Sequence, residues 1–307
     1  MRAAAPISRR RMLALAALAS AGVFGCGAND RVPVRLASGE DGGFYYAFAR
    51  LLAAAAANET GDLRIEPVET AGSQQNLRMV ADGDVETALA LADSAGDFGG
   101  RVVALGRVYE NYLQLAVRTD GPIVEVADLR GRRVNLGAAG SGAAVTGRRL
   151  LATAGLDPVD VMVEHRPLRD AAQALTDGSI DALLWAGGVP TAALTVPDPM
   201  RLIDLGALAT PMRARYGPVY DQVAIPADAY PGSPAVDTIG VANLLLAAAD
   251  LPDETAGAIV ELLVRHADTL VPTEAAGTQF LDSRFLIGTG TVPLHPGAAE
   301  VYRRWHG

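Results

Sequence analysis

Short apolar segments alternate with amphipathic ones along most of the chain. Val32–Ala37 alternates with period two and reads as a strand. Phe44–Asn58, rich in Ala and Leu, reads as a helix, and Leu63–Glu69 as a second strand. The stretch Ser38-Gly39-Glu40-Asp41-Gly42-Gly43 predicts a turn between the first strand and the helix. Ser73 is placed as the N-cap of the next helix, Asp82-Gly83 ends it, and Val85–Ala92 is a third strand.

The same order then returns. Arg133–Leu136 reads as a strand, Gly137–Gly142 as a Gly-rich turn, and Ser141 as an N-cap before the helix Ala143–Ala154. Val161–Glu164 is a strand, Leu168–Leu175 a helix, Asp177-Gly178 a stop and Ile180–Trp185 a strand. Strands alternating with helices predict the α/β class. The recurrence predicts two α/β lobes of similar plan. Tyr112–Val117 is a candidate crossing strand between them, and Ala224-Ile225-Pro226 a candidate return crossing. The predicted division is 27–117 with 226–307 for lobe I and 118–225 for lobe II, joined by a hinge.

Composition narrows the chemistry. The chain has 307 residues, half of them hydrophobic, enough for a large core. Its net charge of −9 argues against a broad nucleic-acid-binding face. Every basic residue among the 26 is Arg. Without Lys there is no Walker-A loop, no pyridoxal-phosphate Schiff base and no kinase strand lysine. One Cys and four His exclude a Cys-based metal site and an intrachain disulfide. No metal site and no cofactor are expected.

Residues 1–26 read as an address. Arg2, Arg9, Arg10 and Arg11 precede an apolar run from Met12 to Phe24 that is too short to span a bilayer as a stable helix. Ser8-Arg9-Arg10-Arg11-Met12-Leu13 resembles a twin-arginine export motif. Val23-Phe24-Gly25-Cys26 resembles a lipobox, although Phe24 is unusual at its position. Cleavage before Cys26 and acylation there predict a lipid-anchored extracytoplasmic protein.

Two turns open helices in different lobes: Thr70-Ala71-Gly72-Ser73 and Gly137–Gly142. A helix N-terminus offers free N–H groups and the positive end of the dipole, so two such ends across a cleft could hold a carboxylate without any Lys. The glycine spacing of the second turn does not match a dinucleotide fingerprint. Tyr45 and Tyr46 are adjacent and point about 100° apart on a helix, so one packs while the other can face the cleft. Trp185 ends an apolar strand and fits either a core or a ligand platform.

Seven segments, in order, carry a family resemblance. They are Gly42-Gly43-Phe44-Tyr45-Tyr46, Ala71-Gly72-Ser73-Gln74-Gln75-Asn76-Leu77-Arg78, Asp128-Leu129-Arg130-Gly131-Arg132-Arg133-Val134, Gly140-Ser141-Gly142, Gly187-Gly188-Val189-Pro190-Thr191, Ile225-Pro226-Ala227-Asp228-Ala229-Tyr230-Pro231-Gly232 and Pro293-Leu294-His295-Pro296-Gly297-Ala298. In that order the chain resembles the TAXI-family solute-binding proteins of tripartite ATP-independent periplasmic (TRAP) transporters over nearly all of residues 33–303.

The resemblance implies a two-lobed periplasmic-binding-protein fold, type II-like, with a ligand cleft between the lobes. It implies capture of a small carboxylate or amino acid and delivery to an ion-coupled TRAP permease. It implies a ligand site of Gly43, Tyr46, Ser73, Asn76, Asp93, Ser94, Gly140, Ser141, Gly142, Trp185 and Gly187. Two departures stand out: Glu40 and Asp41 occupy a turn where the family commonly has small residues, and Leu91-Ala92 precede Asp93 where it often has Gln-Ser. Two acids at the cleft mouth disfavour a polyanion and favour a zwitterion or monoanion.

A ligand-sensing protein that signals to a membrane partner would present the same body. An enzyme on this plan would need a nucleophile beside a base, or a metal. The chain lacks a Gly-x-Ser-x-Gly elbow and a His-Glu-x-x-His motif, so a non-enzymatic role is expected.

Overall fold

The computed structural model describes residues 33–59, 63–195, 200–272 and 281–306. β1 (Val34–Ala37), α1 (Phe44–Asn58), β2 (Ile65–Val68), α2 (Ser73–Ala81) and β3 (Thr87–Leu91) form a first α/β unit. The short α3 (Ala92–Ala95) leads to the long β4 (Val102–Arg118). A second unit follows as β5 (Arg133–Asn135), α4 (Gly142–Thr153), β6 (Met162–Glu164), α5 (Leu168–Thr176) and β7 (Ala182–Gly187). Next come β8 (Met200–Leu202), α6 (Gly206–Tyr216), β9 (Tyr220–Ile225) and β10 (Val236–Ala248). The chain closes with α7 (Asp253–Arg265), α8 (Ser283–Leu286) and α9 (Pro296–His306).

The strands pair in the order β2-β1-β3-β10-β4-β7-β5-β6, with β8 on β4 and β9 on β10. The first unit's order, β2-β1-β3, is repeated by β6-β5-β7 in the second, and both sets are parallel. Between them β10 and β4 run antiparallel, from Gly240 opposite Tyr112 to Ala248 opposite Val102. These strands are long because each serves both units. β4 pairs with β7 through Tyr112–Val117, and β10 pairs with β3 through Asn243–Ala247. The result is two α/β lobes joined by two continuous strands. The predicted crossing Tyr112–Val117 lies inside β4, while Ala224 and Ile225 end β9, the hairpin partner of β10.

Side-chain alternation explains why helices cover both faces of the sheet. In β10, Leu245 and Ala247 enter a core with Phe44, Phe48 and Leu52 of α1 and Ile259 and Leu263 of α7. Their neighbours Leu244 and Leu246 enter the opposite core with Leu77 and Val80 of α2. In β7, Leu184 faces Leu150 of α4, while Leu183 faces Ala171 and Leu175 of α5. Leu91 crosses the pattern: it ends β3 of the first lobe yet packs in the core of the second. The lobes are therefore in apolar contact at that point.

Candidate functional site

The parallel strands of both lobes bring their carboxyl ends to one crevice, the usual ligand position in open α/β sheets. The turn after β1 supplies Gly39, Glu40 and Gly43, and the first turn of α1 supplies Phe44 and Tyr45. The turn after β2 supplies Ala71, Gly72 and Ser73. From the other lobe come Ser141, Gly142 and Ala143 at the start of α4, with Trp185 and Ala186 at the end of β7. Asn111 on β4 and Leu91 on β3 complete the inner cavity. It encloses about 50 Å³, well below the ~300–1,000 Å³ of sites for drug-sized ligands. An adjoining chamber of about 240 Å³ shares Glu40, Gly43 and Trp185 and adds Asp41, Leu168 and Arg169. The facing turns of the two lobes thus close over little space.

Three polar fastenings hold that closure. The N–H groups of Gln74 and Gln75 at the start of α2 donate to the Gly140 carbonyl of the other lobe, at 3.0 and 3.3 Å. The Glu40 carboxylate accepts from the N–H of Leu168, the first residue of α5, at 3.2 Å. Burial raises the Glu40 pKa, opposed by that hydrogen bond. The third fastening is the Asp93 carboxylate, which accepts from Thr146 Oγ1 at 2.6 Å and Tyr220 Oη at 2.9 Å, with Arg149 Nη1 at 3.6 Å.

The structure brings Gly43, Ser73, Ser141, Gly142 and Trp185 to the cavity wall. Ser141 is the N-cap of α4, its Oγ accepting from Ala144 N at 3.2 Å. Ser73 is not a cap. Gly72, at φ 113°, holds that position, and Ser73 is the first helical residue. Its Oγ accepts from Leu91 N at 3.0 Å and lies 3.3 Å from Tyr45 Oη, so the hydroxyl ties β3 to α2 at the edge of the cavity. Glycine at position 142 lets the lobes approach closely. A Cβ there would lie 2.5 Å from Ser73 Oγ and 2.6 Å from Leu91 Cδ1.

Six expected ligand residues do not line the inner cavity. Tyr46 is displaced by Tyr45, because α1 turns the first of the pair inward, where its hydroxyl donates to Asn243 Oδ1. Burial pushes the Tyr45 phenol well above its usual range. Asn76 is fully buried as a brace, donating to Ser38 O and Leu89 O and accepting from Thr70 Oγ1. Ser94 Oγ donates to Asp93, whose carboxylate is taken up by the opposite lobe. Gly140 contributes its carbonyl to α2. At Gly187 a side chain would strike the Trp185 indole. Cys26 and the arginine-rich leader lie outside the described residues.

Asn111 went unnoticed in the sequence. Its signal is a polar amide directly before the predicted crossing segment Tyr112–Val117, where a buried residue needs a partner. Among the described residues no group of three or more His, Cys, Asp and Glu is placed to hold a metal ion. No described helix is long and apolar enough to cross a membrane.

Two α/β lobes on a shared pair of strands, closed over a cavity at the strand ends, define the type II-like fold of periplasmic binding proteins. The sequence pattern of the NMT1-like family matches residues 36–304, and the chain belongs to that family. Solved structures share the fold. A protein from Bordetella bronchiseptica RB50 aligns at 16% identity and a TM-score of 0.56, over 90% of this chain and 98% of that one. A putative L-cystine ABC transporter protein from Listeria monocytogenes aligns at 14% identity and 0.51, over 78% and 93%. The protein XAC2383 from Xanthomonas citri, bound to chloride ion, aligns at 15% identity and 0.51, over 89% and 100%.

Proposed function

We propose that the protein is an extracytoplasmic receptor that captures a small organic acid or amino acid by hinge closure and passes it to a TRAP-type ion-coupled permease. The observation that carries this reading is the cavity between the lobes, walled by backbone-rich turns from both sides. A solute held by both walls binds the closed state better than the open one, which is what drives closure. In this reading lobe I comprises 27–117 and 226–307 and lobe II comprises 118–225, with the shared strands β4 and β10 reaching into both. The motif order of the TAXI family supports the TRAP assignment, and the Arg-rich leader ending at Cys26 supports export and a lipid anchor. The site residues work as a binding surface, with no catalytic role assigned to any of them.

The test is a thermal-shift screen of the purified protein against amino acids, monocarboxylates, dicarboxylates and sugars. Native-state binding raises stability by about 2.7 kcal/mol at a hundredfold excess over Kd. The expected result is a saturable shift from a carboxylate or amino acid that is recovered chemically unchanged. Conversion of the compound, or saturable binding confined to sugars, would overturn the reading. Ser73→Ala and Ser141→Ala are both expected to weaken that binding while the fold persists.

A further inference from the structure

Two helix starts in the fold are capped from the opposite lobe. α5 begins after Pro167, whose side chain makes no capping bond and has no acceptor to make one with. Glu40 of the other lobe takes that role, its Oε2 accepting from Leu168 N at 3.2 Å. α2 begins after Gly72, which likewise makes no side-chain cap, and there the Gly140 carbonyl accepts from Gln74 N and Gln75 N at 3.0 and 3.3 Å. α4 differs, because Ser141 caps it from within. Each lobe thus completes a helix of the other, and parting the lobes uncaps both.

Of the two acceptors, Glu40 alone is a side chain and alone carries charge, which the positive end of α5 favours. The turn around it is braced. Gly43 N donates to Glu40 O at 2.9 Å, and Asp41 N donates to Glu69 Oε1 at 3.3 Å. Arg169, in the first turn of α5, lies against the same turn, since a Cβ at Gly42 would stand 2.8 Å from its Nη2. The contact is also built to let go. Glu40 is part-buried, not sealed, and the like charges of Asp170 and Glu69 work against its ionised form.

We propose that Glu40 is a built-in catch: by capping α5 from across the cleft it holds the lobes together in the resting protein, and solute reaches the cavity only once that cap has let go. The open share of the population then sets how much of the intrinsic affinity is realised. The catch is a contact of the chain with itself. It goes beyond the receptor reading, and its test needs no solute.

Amide hydrogen exchange, followed by NMR on the purified protein with no solute added, tests it. Leu168 reports the catch itself, while Gln74 and Gln75 report a lobe contact that other residues form. In wild type all three are expected to exchange at least about tenfold more slowly than in an unstructured chain, although first-turn amides have no acceptor within their own helix. Glu40→Ala is expected to speed all three about tenfold, the scale of one lost cap, with Leu77 and Val80 inside α2 unchanged. Glu40→Gln keeps an acceptor without the charge and should fall between. Fast exchange of Gln74 and Gln75 in wild type would overturn the proposal, because the lobes would already be apart. Unchanged exchange there in Glu40→Ala would overturn it too, because the bond would then cap a helix and hold nothing else. Should Glu40→Ala loosen the whole fold, seen at Leu77 and Val80 as well, Glu40→Gln carries the same readout.

Discussion

Thr146 Oγ1 donates to Asp93 Oδ2 at 2.6 Å, and the two residues belong to different lobes. Asp93 stands in α3 at the end of β3, and Thr146 stands one turn into α4. Arg149, a turn further along α4, donates from Nη1 to the Asp93 carbonyl at 3.0 Å and to Tyr220 Oη at 2.9 Å. Asp93 thus fastens the lobes beside the cavity and does not contact its interior. A hydrogen bond to a charged acceptor contributes about 1.5–3 kcal/mol. In a double-mutant cycle by urea unfolding, Asp93→Asn with Thr146→Val is expected to show a coupling of about 1–2 kcal/mol. Additivity within experimental error would show that the bond does not hold the lobes together.

Asp93 also gives stability a pH dependence with a definite sign. Burial raises its pKa above the usual 3.8, and the bonds from Thr146, Arg149, Tyr220 and Ser94 oppose that rise without cancelling it. The folded protein therefore holds the Asp93 proton to higher pH than the unfolded chain does. Its contribution to stability is fully present below about pH 4 and is lost as pH rises through the raised value. The difference in unfolding free energy, wild type minus Asp93→Asn, is expected to fall as pH rises from 4 and then to level off. Taking the difference cancels groups of opposite sign, such as Asp128, whose pKa is lowered by the N–H groups of Val124 and Glu125. A difference that grows with pH would mean that the hydrogen bonds outweigh burial.

Closure can be blocked at one atom. A Cβ on residue 142 would press on Ser73 Oγ and Leu91 Cδ1 of the other lobe, and the backbone there is not in the left-handed region that disfavours alanine. Gly142→Ala is expected to keep the fold and to hold the lobes apart. Small-angle scattering would show a larger radius of gyration than wild type, and solute affinity would fall at least tenfold. Identical scattering curves and wild-type affinity would show that the closed contact relaxes around a methyl group.

The α/β plan was legible because strand and helix periods and the Asp-Gly stops recur in order along the chain. Ser141 could be read as a cap because a serine after a glycine turn and before an Ala-rich run has few other uses. Other residues take positions that the sequence did not give, for a common reason: sequence order locates a turn but not the direction a side chain takes from it. Tyr45 and Tyr46 differ only in the helical phase of α1, which the packing of Phe44 and Phe48 around Tyr109 settles. Asp93 looked like a cleft residue because it follows β3, yet its partners come from α4 and β9, far away in sequence. Asn111 sits in a strand whose register depends on its antiparallel neighbour, residues 236–248, and local pattern cannot supply that pairing.

Asn76 separates bracing from binding. Its amide donates to Ser38 O after β1 and to Leu89 O in β3, and accepts from Thr70 Oγ1 after β2. One side chain thereby joins the ends of three strands beneath the cavity, and it is itself fully buried. Asn76→Ala leaves two carbonyls and a hydroxyl without those partners, at about 1 kcal/mol or more each, and opens a void. The expected loss is about 2–4 kcal/mol in unfolding free energy. Because Asn76 is absent from the cavity wall, folded protein at low temperature should bind solute within about threefold of wild type, whereas Ser141→Ala should bind distinctly more weakly at a smaller stability cost of ~0.5–2 kcal/mol. Equal losses of affinity in the two variants would return Asn76 to the ligand site.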